Sequence, residues 1–161
     1  MKNIREKIKD KSVVVGIFGL GYVGLPLAFV FAKKGIKVIG FDIIQERVDA
    51  LNEGHTYIKS LMTKEALKDF KSKKTFLATT DFAKYTPQID AAIICVPTPL
   101  DKYHQPDLSY LISTLDPLSK YLKKGSAVSL ESTTYPGTTE EVMNVKMKEA
   151  GFEIGKDLFM I

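Results

Sequence analysis

Val13-Val14-Val15-Gly16-Ile17-Phe18-Gly19-Leu20-Gly21-Tyr22-Val23-Gly24 decides the reading of this chain. Val13 to Phe18 is an apolar, β-branched run, the pattern of a parallel strand buried on both faces. Three glycines follow at the spacing G-x-G-x-x-G, and from about Tyr22 to Lys34 the chain is apolar nearly all round before Gly35. That is a buried helix closed by a glycine, with Pro26 in its first turn, where proline is tolerated. A bare glycine motif is weak evidence. One that leaves a buried strand and opens a helix has the context of a dinucleotide-binding turn. Gly19 then permits the tight turn, Gly21 leaves room for a pyrophosphate, and Gly24 lets helix and strand pack closely. Backbone N–H groups and the helix dipole would hold the anion.

Working outward, residues 1–12 predict a short helical arm, with Ile4 and Ile8 four apart among charges. Lys37 to Phe41 predicts a second strand, and Ile44, Val48 and Leu51 fall at helical spacing before Gly54. Thr63 is expected to cap a further helix to about Lys73, followed by a third strand over Thr75 to Ala78 and a short helix from Asp81. Ala91 to Val96 predicts a fourth strand, after which Pro97, Pro99 and Pro106 hold an irregular loop. Asp107 is expected to cap a helix that Pro117 kinks or splits. Ala127 to Leu130 is a fifth strand. Thr138 with Glu141 has the capping-box spacing for a last helix ending at Gly151, and a sixth strand begins at Phe159. Alternating strands and helices predict an α/β doubly wound parallel sheet over residues 13–161, a Rossmann domain of order 3-2-1-4-5-6, expected to be truncated as its sixth strand starts.

The chain has 161 residues, enough for one domain of ordinary size. With 45% hydrophobic and 26% charged residues it has a globular composition. The apolar stretch Leu25 to Ala32 is too short for a membrane span, and the lysine-rich start lacks a signal-peptide core, so a cytoplasmic location is expected. The net charge of +4 is spread over small lysine groups such as Lys71, Lys73 and Lys74, with acids between them. That is a solvated surface rather than a nucleic-acid interface. A single cysteine, Cys95, excludes an internal disulfide, and at the end of an apolar strand it is expected to be buried, away from the cleft mouth. His55 and His104 lack metal-ligand spacing, so no metal is expected.

Asp42 ends the second strand eighteen residues after Gly24. An acid here can accept the hydroxyls of an adenosine ribose and would repel a 2′-phosphate, which favours NAD over NADP. Arg47, one turn later, keeps the second cofactor open, and a carboxylate before Ile43 can equally cap the next helix.

Three blocks carry a wider resemblance: Gly19-Leu20-Gly21-Tyr22-Val23-Gly24-Leu25-Pro26, Cys95-Val96-Pro97-Thr98-Pro99-Leu100, and Glu131-Ser132-Thr133-Thr134-Tyr135-Pro136-Gly137-Thr138-Thr139. In this order, at the ends of strands one, four and five, they resemble the UDP-glucose/GDP-mannose dehydrogenase family, and most of all its branch acting on UDP-N-acetylhexosamines. The resemblance implies an NAD cofactor held by residues 19–24, Asp42 and Arg47 at the adenosine ribose, and Val96, Thr98, Ser132 and Thr133 beside the nicotinamide. It implies one catalytic residue here, Thr133, positioning a water; a hydroxyl that only satisfies turn backbone is the competing reading.

Family members oxidise a sugar CH₂OH to a carboxylate with two NAD⁺ through a cysteine thioester. That cysteine and its neighbours, the main grip on the UDP-sugar and the helix behind the homodimer belong to later sequence, so this stretch alone is expected to be catalytically incomplete. Tyr57-Ile58 is followed by Lys59 where many relatives carry an acid. Two other readings remain, a stand-alone NAD-sensing module without catalysis and a methyltransferase using S-adenosylmethionine. The proline-rich loop and the Glu131-Ser132-Thr133 turn argue against both.

Overall fold

The computed structural model describes residues 3–58, 64–100 and 102–161. Thr63 and Lys59 lie outside them. Six parallel strands form one sheet: β1 (Val14–Phe18), β2 (Lys37–Phe41), β3 (Phe76–Thr79), β4 (Ala91–Ile94), β5 (Ser126–Leu130) and β6 (Leu158–Met160). Their order is β3-β2-β1-β4-β5-β6, the expected doubly wound arrangement. The two halves diverge between β1 and β4, where Phe18 pairs with Phe41 on one side and Ile94 on the other. In open α/β sheets, ligands bind at the carboxyl ends of the strands beside that point.

Each face of the sheet carries its own core. On one side α2 (Gly24–Lys33), α3 (Gln45–Asn52) and α4 (Lys64–Ser72) bring Leu25, Phe29, Val48, Leu51, Leu67 and Phe70 onto Val15, Ile17 and Val38. On the other, α6 (Ser109–Tyr121) and α7 (Asn144–Glu149) bring Leu111, Leu115, Leu118 and Met147 onto Ile39, Ala92, Ile94 and Val128. Alternate strand residues point to opposite faces, so strands buried on both sides must be apolar, as β1 is and as β2 is beyond its exposed first residue, Lys37. A short helix, α5 (Phe82–Tyr85), starts where Asp81 accepts the Lys84 N–H at 3.0 Å.

At the amino ends of the strands, α1 (Ile4–Lys9) is closed by reciprocal bonds between Asn3 and Glu6, a capping box. Lys7 Nζ lies 2.5 Å and Lys123 Nζ 2.8 Å from Oδ1 of the buried Asp90, whose Oδ2 accepts the Val14 N–H at 2.9 Å. Burial opposes ionisation of Asp90, but the bonds from Lys123, Lys7 and Val14 prevail and hold its pKa below the ordinary aspartate value.

Several expectations are corrected. The helix expected from Tyr22 begins at Gly24, because Gly21 to Val23 still belong to the turn that leaves β1. Pro117 does not split α6; the carbonyl it leaves without a helical donor belongs to Ser113, on the exposed side, while Leu111, Leu115 and Leu118 stay buried. Thr138 and Glu141 form no capping box. Thr138 is itself helical and its hydroxyl donates to the Tyr135 carbonyl at 2.8 Å; the segment Thr139–Met143 winds as a π-helix leading into α7.

Candidate functional site

The cleft stands on the loops that leave the carboxyl ends of β1, β2, β4 and β5, and the sheet ladder fixes where each loop departs. Gly19 N–H donates to Phe41 O, Cys95 N–H to Phe18 O and Glu131 N–H to Ile94 O, each at 2.8 Å. Its volume is about 560 Å³, within the range of small-molecule sites. Phe18 and Phe41 stack at 4.4 Å between ring centroids with Phe82 against both, and all three rings line the floor.

The three glycines of the first loop answer to three different constraints. Gly19 has φ +92° and a Cβ there would lie 2.7 Å from the Cys95 carbonyl oxygen. At Gly24 a Cβ would lie 1.9 Å from the Gly19 oxygen, so helix and loop approach more closely than any side chain permits. At Gly21 a Cβ would meet nothing within 4 Å, and Gly21 lines the cleft. The protein itself therefore makes no demand for glycine at 21; a ligand passing in front of it would. Behind it, α2 begins at Gly24 after an N-cap, Val23, that makes no side-chain bond. The Leu25 N–H is taken by the Gly21 carbonyl and Pro26 has none, which leaves the Gly24 N–H and the positive end of the dipole for an anion. Tyr22 and Val23 also line the cleft. Leu20 does not contribute a side chain, which is fully buried and packs beneath Gly40.

Asp42 lines the cleft just past β2 and is 6% exposed. Its Oδ2 accepts the Leu20 N–H and its Oδ1 the Ile44 N–H, both at 3.0 Å. Asp42 does not cap α3, whose N-cap is Ile44 without a side-chain bond; its carboxylate instead ties the turn after β2 to the glycine loop. Arg47 Nη1 lies 3.7 Å from Asp42 Oδ2.

On the far side, Val96, Thr98, Ser132 and Thr133 line one wall. The Thr98 hydroxyl donates to the Thr133 carbonyl and the Ser132 hydroxyl to the Val96 carbonyl, the latter at 2.7 Å. Two of the three hydroxyls expected beside the nicotinamide therefore tie the two loops to each other. Thr133 itself is exposed in the cleft. Cys95 is buried, but it is not remote from the site: as the residue after β4 it lines the inner wall beneath Gly24. Burial, helped by Glu131, pushes its thiol pKa up to about 11. Among the described residues no group of three His, Cys, Asp or Glu could hold a metal, and no helix is long and apolar enough to cross a membrane.

Sequence reasoning missed Phe82, Tyr110, Ser113 and Thr114, which line the cleft from α5 and α6. Helical spacing marks the buried side of α6, but not that its other residues border a ligand. It also missed Tyr57, whose hydroxyl donates to the Leu20 carbonyl; its burial, reinforced by Asp42 and opposed by Arg47, raises its pKa to about 12.

An open Gly21, an uncapped helix start and a carboxylate at the end of β2 fit a dinucleotide, and comparison with known proteins gives the same reading. Residues 13–158 match the NAD binding domain of the UDP-glucose/GDP-mannose dehydrogenase family. UDP-N-acetyl-D-glucosamine 6-dehydrogenase of Pseudomonas aeruginosa is 41% identical over 152 residues, covering 92% of this chain and 34% of that protein. UDP-N-acetyl-D-mannosamine dehydrogenase of Pyrococcus horikoshii is 35% identical over 91% of this chain and 34% of its own length. Among solved structures, the UDP-N-acetyl-mannosamine dehydrogenase Cap5O of Staphylococcus aureus superposes with a TM-score of 0.81 at 35% identity, covering 91% of this chain and 35% of that one. The chain spans about a third of the length of the curated relatives it matches. It belongs to the UDP-glucose/GDP-mannose dehydrogenase family, of which it is the NAD-binding domain.

Proposed function

We propose that this domain serves a UDP-sugar 6-dehydrogenase, with UDP-N-acetylglucosamine as the first substrate to test, in which a C6 hydroxymethyl becomes a carboxylate. The observation that carries the reading is Gly21, open to the cleft in front of the uncapped start of α2 and across from Asp42. In this reading the turn at residues 19–24 holds the pyrophosphate, while Asp42 and Arg47 border the adenosine ribose. Leu20, whose N–H and carbonyl are bonded to Asp42 and Tyr57, contributes by holding the turn in place, and Val96, Thr98, Ser132 and Thr133 form the nicotinamide wall. Bound there, NAD⁺ supplies a hydride acceptor, and two are needed because alcohol to carboxylate is a four-electron oxidation that also takes up one water. Thr133, exposed in the cleft, is the residue we assign to positioning that water. The UDP-sugar contacts and the thiol for the second oxidation lie in other parts of the parent, which we take to be cytoplasmic and a homodimer or larger.

Calorimetry on the purified chain should show binding of NAD⁺ and none of S-adenosylmethionine. With UDP-N-acetylglucosamine and NAD⁺ the isolated domain should release no steady NADH, whereas the parent should form two NADH per sugar. Steady NADH from the isolated chain, lost in Gly21→Val, would refute the incomplete site. In the parent, Thr133→Val should lower kcat about 10²-fold or more, the lower range for a positioned proton-transfer group. A larger loss from Thr134→Val would move the role one residue along.

A further inference from the structure

The Leu20 peptide sits in a closed ring of contacts. Its N–H donates to Asp42 Oδ2 at 3.0 Å and its carbonyl accepts the Tyr57 hydroxyl. Arg47 completes the ring, with Nη1 3.7 Å from Asp42 and its guanidinium carbon 5.3 Å from the centroid of the Tyr57 ring. Tyr57 is ten residues beyond Arg47 and comes back over it because α3 ends in a reversal. Gly54 has φ +86° and the His55 N–H donates to the Ala50 carbonyl at 2.8 Å. The returning strand is then pinned by buried Ile58, whose N–H donates to the Thr56 hydroxyl at 3.1 Å.

Two consequences follow from the ring. A peptide unit is planar and trans, so its C=O and N–H point in opposite directions. With the Leu20 carbonyl tied to Tyr57, the Gly21 N–H must point away from Tyr57, which sets one donor of the phosphate turn. Second, an arginine beside the ribose position is what a 2′-phosphate would seek. Here the guanidinium is held between a carboxylate and an aromatic face, both of which attract it.

We propose that Tyr57 is a specificity-determining positioning residue, whose ring keeps Arg47 against Asp42 and whose hydroxyl anchors the glycine loop, so that the cleft selects NAD over NADP. The inference rests on the NAD-binding reading and goes beyond it by assigning cofactor selectivity to a residue outside the glycine motif and the acid.

The test is calorimetry on this chain with NAD⁺ and NADP⁺, with a melting curve for every variant. Tyr57→Phe keeps the ring and removes the hydroxyl. Both affinities should fall about three- to tenfold, as for one hydrogen bond, with their ratio held within about twofold. Tyr57→Leu also frees Arg47, and the preference for NAD⁺ should shrink about fivefold or more, the scale of a partly buried cation–π contact. Adding Arg47→Leu to Tyr57→Leu should restore the preference. If Tyr57→Leu does not fold, Tyr57→Met carries the same comparison. An unmoved ratio in the ring-less variant would overturn the inference. So would an equal loss of selectivity in Tyr57→Phe, or a ratio that stays low in the double variant. Binding of neither dinucleotide by the unmodified chain would overturn the NAD-binding reading as well, and is thereby distinguishable from failure of the inference alone.

Discussion

Gly21 and Gly24, three residues apart, should respond to the same methyl group in opposite ways. At Gly24 the added Cβ would sit 1.9 Å from the Gly19 carbonyl oxygen and 3.1 Å from both the Cys95 Cβ and an Ile17 methyl. The closest of these neighbours is backbone in a loop that the sheet ladder holds at Gly19, so it cannot rotate aside as a side chain would. Overpacking of this kind costs about 1–3 kcal/mol and sometimes more, against a helix-propensity gain of at most about 1 kcal/mol for alanine. Gly24→Ala should therefore lose up to about 2 kcal/mol net, and more if the Gly19 carbonyl cannot shift, and for a domain of this size each kcal/mol lowers Tm by about 2–4 °C. At Gly21 the same Cβ meets nothing. Gly21→Ala should melt within about 2 °C of the parent, slightly higher if the reduced freedom of the unfolded chain dominates. Its NAD⁺ affinity should nonetheless fall at least about tenfold, because the methyl occupies the approach of the pyrophosphate. Differential scanning calorimetry and titration calorimetry on the two variants separate the effects. A destabilised Gly21→Ala, or one that binds NAD⁺ as the parent does, would refute the claim that only a ligand requires glycine there.

Asp42→Ala should weaken NAD⁺ binding by about 1.5–3 kcal/mol, as for hydrogen bonds to a charged group, and should also lower Tm because the Leu20 and Ile44 N–H groups lose their acceptor; tighter binding of NADP⁺ than NAD⁺ by the unmodified chain would contradict the role given to it. Asp90→Asn should cost about 1.5–3 kcal/mol at neutral pH. Since the folded pKa of Asp90 is depressed, its stabilisation is fully present above the unfolded value near 3.9 and is lost as pH falls through the folded one, so chemical denaturation should find the gap to Asn constant above about pH 5 and closing below about pH 4. Cys95, with its pKa near 11, should react with iodoacetamide at pH 8 at least about 100-fold more slowly than a free thiol of pKa about 8.5. A rate near that of the free thiol would show that the inner wall is open to solvent.

The sheet order and the steric constraints at Gly19 and Gly24 were legible because they follow from short-range pattern: buried strands are apolar, and a turn that opens a helix against a strand needs glycine. What was not legible depends on distance in sequence. Thr138 and Glu141 have the spacing of a cap, but the Tyr135 carbonyl takes the hydroxyl first. Thr98 and Ser132 were readable as polar groups of the cleft, whereas their bonds to Thr133 and Val96 depend on the pairing of β4 with β5. Tyr57 carries no local signal, since its reach to Leu20 depends on how the chain reverses after α3. Cys95 was readable as buried, but its place under Gly24 depends on how closely α2 approaches the end of β4.

The crossed hydroxyl bonds between the loops after β4 and β5 set how often that wall of the cleft can part. Thr98 reaches the second loop and Ser132 reaches back to the first, so separation breaks both bonds at once. At about 1 kcal/mol each, the two bonds favour the joined wall by about 2 kcal/mol. A ligand entering this half of the cleft therefore meets a wall already set, and little of its binding free energy is spent on closing it. Replacing either hydroxyl would remove about 1 kcal/mol of that preference.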